Sequence, residues 1–95
     1  MKDNIQIVVR AIIHYQEMVL GPLAMDQAKK VHGIHIGASG EITAVFKSGY
    51  EKKLLAELVS KYESLFGQAS VEVCKDAVRE EIPDFPEDIL PDILK

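Results

Sequence analysis

Residues 34–46 read Ile-His-Ile-Gly-Ala-Ser-Gly-Glu-Ile-Thr-Ala-Val-Phe, and their period decides the fold. Ile34 and Ile36 alternate with His35; Ile42, Ala44 and Phe46 alternate with Thr43 and Val45. Strict alternation puts one set of side chains on one face of a strand. Between the runs, Ala38-Ser39-Gly40 fits a three-residue hairpin loop with Gly40 in the left-handed conformation. Pairing Ile36 with Ile42 and Ile34 with Ala44 then gathers these four on one face. A β-hairpin is expected over about 32–46.

On both sides of the hairpin the period lengthens to that of helices. Residues 3–20 carry Ile5, Val8, Val9, Ile12, Ile13 and Val19 on a nearly apolar cylinder, interrupted by a polar stripe of Asp3, Gln6, Arg10, His14 and Glu17. Asp3 and Gln6 have capping-box spacing. The β-branched residues Ile5–Val9 suit a strand as well, but the apolar stretch is too long for one strand and reads as a helix buried on most sides. Gly21-Pro22 breaks it, and a short second helix over 22–31 is expected to turn Leu23, Ala24, Ala28 and Val31 inward.

After the hairpin, Ser48 and Glu51 have capping-box spacing for a helix over 49–66. Its stripe is Tyr50, Leu54, Leu55, Leu58, Val59, Tyr62, Leu65 and Phe66, and Gly67 suits its C-terminal cap. A last helix, about 70–81, carries Val71, Cys74, Ala77 and Val78 on one side and stops at Pro83. The expected fold class is α+β, mostly helical, with about four helices and one antiparallel hairpin between the second and third.

Composition bounds the function. The chain has 95 residues, 47% of them hydrophobic and 27% charged, with a formal net charge of −4. That is enough apolar surface for one small folded domain. The acidic balance argues against nucleic acid, whose binding needs phosphate neutralisation. No apolar stretch reaches the ~20 residues of a bilayer span, and Arg10 and His14 interrupt the first apolar run where a signal peptide would continue it. The single cysteine excludes a disulfide framework. A cytoplasmic protein without membrane contact is expected.

The charge is unevenly placed. Residues 80–95 hold six acids and one base, net −5, whereas residues 1–79 hold nine acids and ten bases, net +1. We therefore divide the chain into a globular domain, 1–83, and an acidic, proline-containing tail, 84–95. In the tail, Phe85, Ile89 and Ile93 recur every four residues, paralleled by Leu90 and Leu94. Such spacing suits anchors laid into an apolar groove, on the chain's own domain, on a dimer mate, or on another protein. Pro86 and Pro91 each precede Asp-Ile-Leu, directly or by one residue, and each can start a single turn.

A short internal echo accompanies this pattern. From Gly21 and from Gly67 alike, a small residue follows at +3, an acid at +5, a small residue at +7 and a lysine at +8. Over so few positions chance similarity is the default reading.

Little chemistry is written in the chain. His32 and His35 are an odd number apart, so in a strand they face opposite ways and cannot share a metal. No candidate nucleophile or orienting carboxylate lies near His35 in sequence. Cys74, between Val71 and Val78, reads as a small core hydrophobe. Gly37–Gly40 lacks the Lys-Ser/Thr of a phosphate loop and leads into a strand. No metal, cofactor or catalytic residue is expected.

An isolated hairpin has two unpaired edges, and an apolar helix needs neighbours; a second copy would supply both. The leading expectation is thus a small interaction or regulatory module, homodimeric and non-catalytic. The alternative is a small-molecule site or minor enzyme between the hairpin's apolar face and the helices, with Ile34, Ile36 and Phe46 as walls and His35 or His14 at the mouth.

Overall fold

The hairpin forms in the register its alternation dictates. β1 (Ile34–Ile36) and β2 (Ile42–Ala44) pair antiparallel, with Ile34 opposite Ala44 and Ile36 opposite Ile42. Gly37 and Glu41 close the loop through a 2.8 Å hydrogen bond, and Gly40 adopts φ +89°. Ile34, Ile42 and Ala44 are buried and Ile36 half-buried, whereas His35 and Thr43 face solvent. The strands are shorter than the alternation suggests: one further bond, from the Val45 N–H to the Gly33 carbonyl at 2.7 Å, joins the two runs, and Phe46 lies beyond it.

The computed structural model describes the backbone from Lys2 and side chains from Asn4 onward. The Asp3–Gln6 capping contact therefore lies outside the described residues. Helix α1 spans Lys2–Leu20, α2 Leu23–Ala28, α3 Glu51–Phe66 and α4 Gln68–Glu81; single 3₁₀ turns follow at Glu87–Ile89 and Asp92–Leu94. The chain is a mostly helical α+β fold, four helices with the two-stranded sheet between the second and third.

The polar stripe of α1 is not simply a solvated face. In this register Ala44 and Ile42 turn their backbone groups away from β1, to the outer edge of β2. Gln6 meets both groups of Ala44: its Nε2 donates to the carbonyl at 2.6 Å, and its Oε1 accepts from the N–H at 2.8 Å. Arg10 Nε donates to the Ile42 carbonyl at 3.0 Å. One side chain mimics a neighbouring strand, and the edge of β2 is closed within a single chain. The buried face of α1, Ile5, Val8, Val9, Ile12 and Ile13, packs with α2, α4 and β2. This face of α1 is thus covered without a second copy, whereas Val19, which the spacing assigns to the apolar cylinder, is exposed in the last turn, as is Ile7 earlier in the helix.

Local departures from the pattern lie at helix ends. The second helix stops at Ala28 rather than 31, where Lys30 and Val31 tighten into i→i+3 bonds to Gln27 and Ala28. Ser48 does not cap α3; Tyr50 is the first flanking residue, and the Glu51 carboxylate accepts from the Gly49 N–H at 2.6 Å. Tyr50, Leu65 and Phe66 belong to the apolar stripe of α3 by spacing but are exposed, as is Leu23 at the start of α2. At either end of a helix the stripe continues past the point where a facing element exists to cover it.

The echo around the two glycines is structural. Gly21 N–H donates to Glu17 at 2.8 Å and Gly67 N–H to Glu63 at 2.7 Å; their φ angles are +63° and +62°. Each carbonyl accepts from the residue three further on, Ala24 or Ser70, at 3.1 Å. Counting from the glycine, the same five positions are buried in the preceding helix: Val8, Val9, Ile12, Ile13 and Gln16 in α1, Leu54, Leu55, Leu58, Val59 and Tyr62 in α3. The core is two helix–glycine–helix units packed against one another, α1 on α4 and α2 on α3.

Candidate functional site

Two side chains at matching positions lock the units together. Gln16, five residues before Gly21, donates from Nε2 to the Ser70 carbonyl at 2.9 Å. Tyr62, five before Gly67, donates from its hydroxyl to the Ala24 carbonyl at 2.8 Å. Each therefore reaches the third residue past the other unit's glycine. That reciprocity is what an approximate two-fold relation between the units requires, and it brings both glycine corners to one end of the bundle.

This end carries the largest share of exposed apolar side chains. Met18 is 76% exposed, Val19 65%, Phe66 59%, and Leu23 and Leu65 are also exposed. The backbone explains why the residues lie there: a glycine corner ends the helix, and what extends beyond it has no facing neighbour. Residues 18–25 and 64–71 contain no charged side chain, and each stretch is bracketed by acids, Glu17 and Asp26 in one, Glu63 and Glu72 in the other.

Beneath the corners lies a small polar cluster. Gln16 Nε2 also approaches Cys74 Sγ at 3.2 Å, and its Oε1 is buried with no partner among the described residues. Burial pushes the Cys74 thiol up to about 11, against the opposing effect of the Gln16 amide. Burial likewise raises Tyr62, followed by the nearness of Cys74 and Glu17. Cys74 is fully buried and sits in the core as a small hydrophobic side chain.

A second concave surface lies at the other side of α3's start. A groove of about 600 Å³ runs between Val45–Lys47 and the first turns of α3. Its lining runs from buried Leu54 through half-buried Phe46 and Glu57 to exposed Tyr50, His32, Lys47 and Lys53. Lys53 Nζ sits 5.6 Å from the Tyr50 ring centroid.

Of the residues named from sequence as an alternative pocket, only Phe46 lines this groove. Ile34 belongs to the core, Ile36 packs against it, and His35 is exposed on the opposite sheet face. His14 is exposed on α1. Among the described residues no three His, Cys, Asp or Glu side chains are placed to share a metal. Nor is any helix long and apolar enough to cross a membrane.

The tail residues are held by the chain's own core. Phe85 and Leu94 are buried, and Ile89, Leu90 and Ile93 pack half-buried against it. They arrive there as two 3₁₀ turns behind Pro86 and Pro91, not as a helix. Pro91 and Ile93 lie near Ala56 and Ser60 of α3, whereas Phe85, Leu90 and Leu94 lie near Val78 and Ile82 at the end of α4.

No family model, curated protein or solved structure matches this chain.

Proposed function

We propose that this protein is a small, non-catalytic interaction module, regulatory in kind, that pairs with a second copy of itself through the end where the two glycine corners meet. The observation that carries this reading is the exposure of Met18, Val19, Leu23, Leu65 and Phe66 at one end of a chain this small. A concentration of large apolar side chains in water favours an interface. The tail's anchors are already occupied by their own core, and the β2 edge is closed by Gln6 and Arg10, so neither is the surface that pairs.

Two arguments favour a second copy. Residues 18–25 and 64–71 are uncharged, so contact between two copies there is apolar, and the repulsion between the acids around that end falls as salt screens it. The approximate two-fold relation repeats apolar side chains around both corners, which suits an isologous contact. A cytoplasmic location is part of the proposal, and a free cysteine in the core is compatible with it.

Light scattering at micromolar concentration tests the reading. Twice the chain mass is expected, falling to the chain mass for Phe66→Glu and Val19→Glu with unchanged circular dichroism. A monomer mass throughout, or a dimer indifferent to both substitutions, overturns it.

A further inference from the structure

We propose that the groove between Val45–Lys47 and the start of α3 binds a small planar organic anion, an aromatic carboxylate in class. The site is independent of the pairing surface at the glycine corners, and its residues belong to different elements.

Size and shape come first. About 600 Å³ is within the ~300–1,000 Å³ of ordinary small-molecule sites. Its apolar surface is not explained by folding: Val45 is 59% exposed and Tyr50 50%, and neither belongs to the core. Two aromatic rings, Phe46 and Tyr50, line the groove with Leu54, and a flat ligand gains from aromatic contacts of this kind. An aliphatic chain would gain less from such walls than a ring that stacks on them.

The charge at the rim selects an anion. Lys47 and Lys53 stand over the groove with the His32 imidazole beside them, against the single carboxylate of Glu57. In a chain with net charge −4 this is a local reversal of sign. Among the described side chains, ion pairs are confined to Glu72–Lys75, Asp76–Arg79 and Asp92–Lys95, so neither groove lysine is neutralised by a carboxylate. The Lys53 ammonium instead lies 5.6 Å from the Tyr50 ring centroid, which sets a cation beside the aromatic lining of the groove. Cations at the rim and rings below match a molecule with a flat apolar body and one carboxylate.

The probe is 1-naphthoate, titrated into the full-length protein and followed by backbone amide chemical shifts, with neutral 1-naphthamide and inorganic phosphate as controls. Saturable shifts confined to His32, Phe46, Tyr50, Lys53 and their neighbours are expected, with naphthamide and phosphate at least about tenfold weaker, a difference of about 1.4 kcal/mol. Lys47→Gln combined with Lys53→Gln should reduce naphthoate affinity by a similar factor while leaving the thermal midpoint unchanged. Absence of saturable shifts overturns the proposal. So does equal binding of naphthoate and naphthamide, which would make the groove merely apolar, or of phosphate, which would make it merely cationic. Shifts centred on Met18 and Phe66 would likewise contradict it, locating the ligand at the glycine corners instead.

Discussion

Gln16 and Tyr62 occupy matching positions before the glycines of two helix–glycine–helix units, and each donates to a backbone carbonyl of the other unit. Gln16, five residues before Gly21, bonds Ser70, three after Gly67, at 2.9 Å, and Tyr62, five before Gly67, bonds Ala24, three after Gly21, at 2.8 Å. The pair fixes how the two units meet and thereby which side chains are left uncovered at the corners.

The two members should respond differently to removal. Tyr62→Phe loses one buried bond and should cost about 0.5–1.5 kcal/mol in urea unfolding. Gln16→Met loses the bond to Ser70 but also removes a buried oxygen with no partner, so the two effects oppose and the net change should be smaller. A larger loss for Gln16→Met than for Tyr62→Phe would contradict this assignment.

Gln6 makes a prediction with a pH signature. Gln6→Glu leaves an acceptor for the Ala44 N–H but sets a carboxylate against the Ala44 carbonyl, and should cost about 1–3 kcal/mol near neutral pH. Protonation restores a donor, so the folded state holds this proton more tightly than the unfolded chain does. Stability lost at neutral pH should therefore return as pH falls through the carboxyl's raised pKa. Equilibrium unfolding at pH 4 and pH 7 checks the difference; equal destabilisation at both would refute the two-bond geometry.

Alkaline pH should weaken the fold. Cys74 is raised from 9.0 to about 11 by burial, and Tyr15 from 10.0 to about 12, chiefly by its 2.6 Å bond to Glu80 and then by burial and the charges of Glu80 and Glu81. A group with a raised pKa stays protonated longer in the folded chain, so the unfolded chain gains stability first as protons leave. Stability is complete below about pH 9 and declines towards about pH 11 and beyond. Melting temperatures over this range, compared with Cys74→Ala, should show a shallower early decline in the variant.

Truncation after Pro83 should lower stability severely. Phe85 and Leu94 are buried, and full burial of such side chains is worth about 1.5–3 kcal/mol each. The tail's ion pair, Asp92–Lys95 at 3.7 Å, is internal and exposed, so the loss should change little with ionic strength. A truncated chain as stable as the whole one, by urea unfolding at low and high salt, would contradict the burial.

Much of the fold is legible because its signals are local. The hairpin register follows from period two and one glycine, and the tail turns follow from Pro86 and Pro91. What is hidden is of two kinds. Gln6 and Arg10 look like a solvated stripe because their partners, Ala44 and Ile42, are more than thirty residues away and leave no periodic trace. The equivalence of Gln16 and Tyr62 is masked because an amide and a phenol perform one task. At the surface, spacing alone assigns Leu23, Leu65 and Phe66 to the interior, since periodicity does not reveal where a facing helix stops. The groove escaped for a related reason: Tyr50 continues the stripe of α3 yet precedes its first turn, and Lys47 and Lys53 read as ordinary surface charges.

The contact between copies is the central claim, and an isotope-filtered nuclear Overhauser experiment on mixed labelled and unlabelled protein tests it most directly. Cross-peaks between chains should join the Met18 and Val19 methyls to the Phe66 ring and the Leu65 methyls, and should strengthen with salt as the acids Glu17, Asp26, Glu63 and Glu72 around the end are screened. Interchain cross-peaks that fall elsewhere, on the β1 edge or the tail, or none in a sample of monomeric mass, would contradict it.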